Sequence, residues 1–146
     1  QLYTYHGIVV RSDSRTLDEV IMDRGLKGQK DLGISKNLQE AQGILTAEGV
    51  GATGQSGSSC ARAIDGAYNY GEYEPGKNRM YVIDTNKIGP DNRAYDMSTI
   101  VTKNYPDKKD ETGLEVNCTE IPVSAILGYI KYGTGQAPIF TLTRYK

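Results

Sequence analysis

The stretch VVRSDSR at residues 9–15, continued by TLDEVIMDRGL at residues 16–26, decides the fold of this chain. Its first part predicts an apolar strand that ends at Arg11 and is followed by a polar turn. Thr16 and Glu19 have the spacing of a capping box, so they predict a short helix over residues 16–24 that stops at Gly25. The stretch therefore predicts a strand, a charged turn and a capped helix in succession.

Outside this stretch, hydrophobic periodicity and turn residues divide the chain into short elements. We predict a first strand over residues 2–10, a loop over residues 25–36, and a Gly-, Ser- and Thr-rich loop over residues 49–57. Further helices are predicted at 37–44 and 59–68, and further strands at 79–84, 114–118, 125–132 and 138–145. Helices early and short strands later predict an α+β domain with two packed, mainly antiparallel β-sheets flanked by short helices.

Length and composition fit one domain. A chain of 146 residues with 38% hydrophobic and 24% charged residues can bury one core, so residues 1–146 are expected to form a single domain. The net charge of -1 gives no general attraction to nucleic acid or to an anionic membrane. Because the chain begins with Gln1 and its first methionine is Met22, we expect it to be a fragment of a longer protein.

The cysteine and histidine content bounds the chemistry. Cys60 and Cys118 are too few for a disulfide framework, so we expect two partly buried thiols, with one bridge as the alternative. One histidine and two distant cysteines do not form a ligand set of the usual spacing, so no metal site is predicted.

The layout of residues 9–26 closely resembles the first motif of the bacterial ADP-ribosylating toxins of the cholera and pertussis type. Arg11, Asp13 and Arg15 fall at that family's spacing. The resemblance implies the ADP-ribosyltransferase fold, with NAD as the substrate. A guanidinium can bind a pyrophosphate through two parallel hydrogen bonds, so Arg11 is expected in the active site, with Ser12 and Asp13 beside it at the NAD.

The N-terminal strand can also be aligned with a second branch of the same superfamily. Tyr5-His6-Gly7 resembles the start of the diphtheria-toxin and poly-ADP-ribose-polymerase branch, where the histidine holds the nicotinamide ribose. The distance from His6 to Gly25 is too long for that branch, whereas the distance from Arg11 fits the cholera-type branch. We therefore favour Arg11 over His6.

The second motif of the resembled family is Ser-Thr-Ser, whose hydroxyl orients the catalytic carboxylate and holds it ionised. Counting from the preceding strand assigns this role to Thr53, whereas counting back from Ala63 assigns it to Ser56. Both are kept as catalytic and NAD-binding candidates. The alternative is a Gly- and Ser-rich loop in which a serine only caps the following helix.

The third motif lies in the run GLEVNCTEIPVSAILGY at residues 113–129. Its Glu-Val and Ile-Pro steps resemble the cholera-type sequence, which implies that Glu115 is the catalytic carboxylate. A carboxylate beside the ribose stabilises the oxocarbenium character that develops as nicotinamide leaves. Glu120 is the alternative if the strand register differs.

The main departure from the family is Gly113, where relatives carry a Glu or Gln that activates the acceptor. The predicted function is therefore transfer of ADP-ribose from NAD to a protein or nucleic acid, with NAD hydrolysis or an inactive binding module as alternatives. The resemblance implies a monomeric toxin that a bacterium secretes or injects, such as the tip of a polymorphic effector, acting in the target-cell cytoplasm. It also implies a cognate immunity protein and no membrane partner.

Overall fold

The computed structural model describes residues 3–26, 58–64, 67, 79–89, 94–96, 115–132 and 140–144. Their strands are β1 Tyr3–Thr4, β2 Ile8–Asp13, β3 Gly25–Leu26, β4 Ser58–Ala61, β5 Arg79–Asp84, β6 Ala94–Asp96, β7 Glu115–Cys118, β8 Ile121–Pro122, β9 Ile126–Tyr132 and β10 Phe140–Arg144. The helix α1 spans Leu17–Met22, and single 3-10 turns follow β5 at Thr85–Lys87 and β8 at Val123–Ala125.

Among the described residues, the strands form two sheets in which every pairing is antiparallel. The larger sheet has the order β1-β6-β7-β4-β2-β5-β9-β10, and the smaller one pairs β3 with β8. This confirms the prediction of an α+β fold with two mainly antiparallel sheets. The two halves of the larger sheet meet at β2 and β4, which pair through Val10 and Ala61.

The main core lies on one face of the larger sheet, where side chains from both halves pack together. β2, β5 and β9 contribute Val9, Ile83 and Ile126, and β4 and β7 contribute Cys60 and Val116. The small sheet and α1 cover this face with further apolar side chains, namely Val20, Leu26 and Ile121. A second cluster, which includes Val10, Ala61, Met80 and Ile130, lies on the opposite face.

The first predicted strand is wrong in its bounds. β1 ends at Thr4, and Gly7 interrupts the chain with φ +152° before β2 begins. Thr85 holds this break, because its hydroxyl accepts from the Gly7 N–H at 2.8 Å and donates to the Gly7 carbonyl at 2.7 Å. β2 then continues past Arg11 to Asp13 because it pairs with β5 along its whole length, so Arg11 lies inside the strand and not at its end.

The helix predicted over residues 59–68 is also wrong at its start. Residues 58–61 form β4, which is paired with β2 on one side and β7 on the other. Hydrogen bonds to two neighbouring strands outweigh the local helical pattern here. A helical turn follows, in which the Ala67 N–H donates to the Ala63 carbonyl at 3.3 Å.

The later strand predictions are confirmed, with ends shifted by one or two residues in three of them. Strand β5 spans residues 79–84 as predicted, and β7, β9 and β10 match the predictions at 114–118, 125–132 and 138–145. β6 and β8 were not predicted, and neither was β3, which begins within the predicted loop 25–36. The helix predicted at 37–44 lies outside the described residues.

Candidate active site

Three charged side chains cluster where β2 ends and α1 begins. Arg11 donates from Nε to Asp13 Oδ2 at 3.0 Å. Arg15 donates from Nε to Asp13 Oδ1 at 2.9 Å and from Nη2 to Asp13 Oδ2 at 2.7 Å, which is a two-pronged ion pair. The Arg15 backbone N–H also donates to Asp13 Oδ1 at 2.9 Å. Asp13 therefore joins both arginines and closes the turn.

The Asp13 carboxylate is held in its charged form. Burial alone raises the pKa of this carboxyl, but the hydrogen bonds from Arg15 and the charge of Arg11 outweigh it, so its pKa lies below the ordinary value. The Asp13 side chain is 6% exposed, whereas both arginine side chains are 25% exposed. The carboxylate is thus enclosed, while part of each guanidinium faces solvent.

Thr16 caps the helix that follows, as the sequence predicts. The Thr16 hydroxyl accepts from the Glu19 N–H at 3.2 Å, and the Thr16 hydroxyl donates to Glu19 Oε1 at 3.2 Å. The helix ends before Arg24, which has φ +64°, and Gly25, which has φ +140°. These two residues turn the chain so that β3 can pair with β8.

The small sheet joins the first sequence motif to the third. Leu26 pairs with Ile121 and Gly25 pairs with Pro122. A β-carbon on Gly25 would lie 2.0 Å from the Ile121 carbonyl oxygen, so only glycine fits this approach. The segment that carries Arg11 is therefore packed directly on the chain that leaves the Glu115 strand.

Glu115 lies two strands away from Arg11 in the larger sheet, whereas Asp13, at the end of β2, is level with Cys118 at the other end of β7. Val10, Ala61 and Glu115 form one transverse row across β2, β4 and β7. At the usual strand spacing of about 4.8 Å, this row spans about 10 Å from β2 to β7. Arg11 is the next residue after Val10. The structure therefore brings the two predicted catalytic residues to adjacent rows.

The side chains of these two residues start from different faces of the sheet. Successive residues of a strand alternate, so Glu115 is on the face of Val10 and Ala61, whereas Arg11 is on the face of Cys60. Ala61 is the last residue of β4 and Glu115 is the first of β7, so they form the terminal pair between these two strands. Glu115 is partly exposed, although its Oε2 atom is buried.

The described charged residues near these rows and the turn carry both signs. Arg62, directly after β4, pairs with Asp96 at 3.5 Å. Arg79 and Lys131 lie in the row of Asp13, three rows from Glu115, and the charge of Asp23 also acts on Arg15.

His6 lies before the start of β2 and four residues from Val10, whereas Arg11 directly follows Val10. It is exposed, and its Nδ1 is 3.3 Å from Asn86 Oδ1. Its neighbours are the Gly7 break and the 3-10 turn that follows β5. The structure therefore does not bring His6 to the row of Glu115.

The other predicted site residues have the following positions. Glu120 is partly buried in the connection between β7 and β8. Ser12 is on β2, paired with Met80 of β5. Thr53, Ser56 and Gly113 lie outside the described residues. The assignment of the catalytic carboxylate and of the second-motif hydroxyl stays a prediction.

Two residues of the site were missed from the sequence, although their strand was predicted. Tyr81 is the direct partner of Arg11, and its hydroxyl donates to the Arg15 carbonyl. Arg79 is the partner of Asp13, and its Nη1 donates to the same oxygen at 3.1 Å. The only sequence signal for Arg79 is its place as a charged residue at the start of an apolar run.

Comparison with known proteins gives a likeness in structure. No protein-family model matches the chain, and no curated protein matches it. Among solved structures, the chain is similar to an arginine-to-lysine mutant of heat-labile enterotoxin, whose active-site loop in the A subunit is very flexible. The TM-score is 0.58 at 20% identity, and the match covers 94% of this chain and 74% of that one. The chain has the ADP-ribosyltransferase fold.

Membrane spans and metal clusters are both absent from the part of the chain that the structure describes. No helix there is long and apolar enough to cross a membrane. No group of three or more His, Cys, Asp or Glu side chains in the same residues is arranged to hold a metal ion.

Proposed function

We propose that this chain is the catalytic domain of a mono-ADP-ribosyltransferase toxin of the cholera and pertussis type, which uses NAD as its substrate. The observation that carries the proposal is that Arg11, which is held by Asp13, lies in the row next to that of Glu115, within the ADP-ribosyltransferase fold. The likeness to an enterotoxin supports a secreted toxin and a transferase at a coarse level.

Arg11 is proposed to bind the pyrophosphate of NAD. Its Nε is used by Asp13, and a quarter of its side chain is exposed, so the guanidinium is oriented and still accessible. An ion-paired arginine with a fixed orientation loses little side-chain entropy when a phosphate binds.

Glu115 is proposed to stabilise the transition state. The bond between the nicotinamide nitrogen and ribose C1′ breaks, and its electron pair leaves with nicotinamide. An oxygen or nitrogen of the acceptor then bonds to C1′ and loses its proton to solvent or to a nearby base. The carboxylate offsets the positive charge that develops on the ribose between these events. Because Glu115 and Arg11 start from different faces, the proposal requires NAD to contact both past Ala61, the last residue of β4.

The test is incubation of the protein with radiolabelled NAD and a whole-cell lysate, with and without nuclease. Label on a protein band would identify a protein acceptor, whereas nuclease-sensitive label would identify a nucleic acid. Release of nicotinamide without transferred label would replace the transferase with a NAD glycohydrolase. No consumption of NAD would overturn the proposal in favour of a binding module.

Matched variants test the catalytic residues. Glu115→Gln is expected to lower turnover by roughly 10²- to 10³-fold, because it removes one preorganised charge from the transition state. Glu120→Gln is the control, since it makes the same change in the connection that follows the Glu115 strand. Normal turnover in Glu115→Gln together with loss in Glu120→Gln would show that Glu120 is the catalytic carboxylate.

A further inference from the structure

The carbonyl oxygen of Arg15 accepts two hydrogen bonds from one neighbouring strand. The Tyr81 hydroxyl donates to it, and Arg79 Nη1 donates to it at 3.1 Å. Both donors are on β5, two residues apart and therefore on the same face. They are also the direct strand partners of Arg11 and Asp13, respectively.

These bonds complete the restraint of the turn at residues 13–16. The Arg15 N–H and guanidinium are already bound to Asp13, and Thr16 is held as the helix cap. The Arg15 carbonyl is the remaining polar group of that residue. With it fixed by β5, all three polar groups of Arg15 are tied to a structured neighbour.

The two donors are themselves well fixed. Tyr81 is fully buried, and its ring meets Tyr129 edge-on with 6.2 Å between ring centroids. The Arg79 guanidinium lies over the Tyr129 ring at 5.7 Å from its centroid. Burial raises the pKa of Tyr81 to about 12, so its hydroxyl keeps its proton and remains a donor at every pH at which the protein would be assayed.

We propose that Tyr81 and Arg79 are positioning residues for NAD binding, because their shared hydrogen bonds to the Arg15 carbonyl hold the turn that orients Asp13 and Arg11. This role rests on the proposed function. Neither residue needs to touch NAD. Their effect passes through the turn to the Arg11 guanidinium, and it bears on binding of NAD more than on the chemical step at Glu115.

The expected signature is a rise in KM with little change in kcat. Tyr81→Phe removes one donor, but Arg79 still satisfies the carbonyl, so KM for NAD should rise about three- to tenfold. Arg79→Met leaves the Tyr81 bond and should have a similar effect. The double variant leaves the carbonyl without either donor, so its KM should rise by more than the product of the two single effects.

Tyr95→Phe is the matched control. It removes the hydroxyl of another buried tyrosine, on β6 in the other half of the sheet. Melting temperatures of all variants should be measured beside the kinetics. A role in folding alone would lower the melting temperature of Tyr81→Phe without moving KM, and this result would overturn the proposal.

A direct binding measurement separates this proposal from the function on which it rests. Calorimetric titration of NAD into Glu115→Gln, with and without Tyr81→Phe, reports affinity without turnover. Weaker binding after Tyr81→Phe, constant from about pH 6 to 9 because the tyrosine does not titrate there, supports positioning. If the wild-type protein is active and Tyr81→Phe changes neither NAD binding nor KM, the positioning role is refuted and the proposed function stands. A wild-type protein that neither binds nor consumes NAD refutes the proposed function, and positioning with it.

Discussion

Replacement of Gly25 by alanine is expected to destabilise this protein strongly, because the added methyl group would overlap backbone atoms of another strand. The β-carbon would lie 2.0 Å from the Ile121 carbonyl oxygen and 3.0 Å from its carbon, whereas ordinary contact begins near 3.4 Å. The clashing atoms belong to the backbone of β8, so no side-chain rotation relieves the contact. The φ of +140° adds a backbone conformation that alanine rarely adopts.

The magnitude follows from these two costs. The unfavourable φ costs of order 1–3 kcal/mol. To relieve the clash, β3 and β8 must separate by about 1.4 Å, the difference between 3.4 and 2.0 Å, which weakens their hydrogen bonds at about 1 kcal/mol each. We therefore expect a loss of about 3–5 kcal/mol, a large part of the roughly 5–15 kcal/mol typical for a domain.

Gly7→Ala is the matched control. Gly7 also has a positive φ, at +152°, but its nearest neighbour is the end of the Tyr5 side chain at 3.1 Å, which can move away. Urea denaturation of the two variants compares them directly, and Gly7→Ala should cost only about 1–2 kcal/mol. If Gly25→Ala destabilises the protein no more than Gly7→Ala, the tight approach of β3 to β8 is refuted.

Three further predictions concern the described site and core. Asp13→Asn should lower the free energy of unfolding by about 2–3 kcal/mol at neutral pH. Because the folded pKa of Asp13 is lowered, its contribution is full above the ordinary value of 3.8 and is lost as the pH falls through the folded pKa. The gap between wild type and variant in pH-dependent urea titrations should therefore close in strong acid, and a gap independent of pH would contradict the ion pair. Thr16→Ala should cost about 1 kcal/mol in the same assay, through loss of the cap, while no loss would contradict it. Cys60 and Cys118 are both free and buried, and the hydrogen bond to Cys60 together with burial raises the pKa of the Cys118 thiol. Ellman's reagent should therefore titrate them only after denaturation, and fast reaction of the native protein would show that the strands around them open.

Local signals in the sequence were sufficient for several elements. The Thr16 cap, the helix after it and the strand at residues 79–84 were predicted from neighbouring residues, and the structure contains each of them. Such features depend on hydrogen bonds and side-chain periodicity within a few positions. They are therefore encoded in the segment itself.

Strand β4 is the clearest case in which local signals were insufficient. Residues 59–61 fit a helical pattern, but their partners on β2 and β7 lie in distant parts of the chain. β3 and β8 are two residues long and carry no pattern of their own. Their pairing depends on the close approach that Gly25 permits.

The candidate site likewise contains local features, which the sequence predicts, and long-range ones, which it does not. The sequence by itself determined the charged turn and its capped helix, because Asp13, Arg15 and Thr16 interact with residues within three positions of themselves. Only the tertiary structure decided that Tyr81 and Arg79 support this turn, and that Glu115 shares a row with Val10. Those relations are set by the register of strands far apart in the chain. A shift of one residue would turn each side chain to the other face of the sheet.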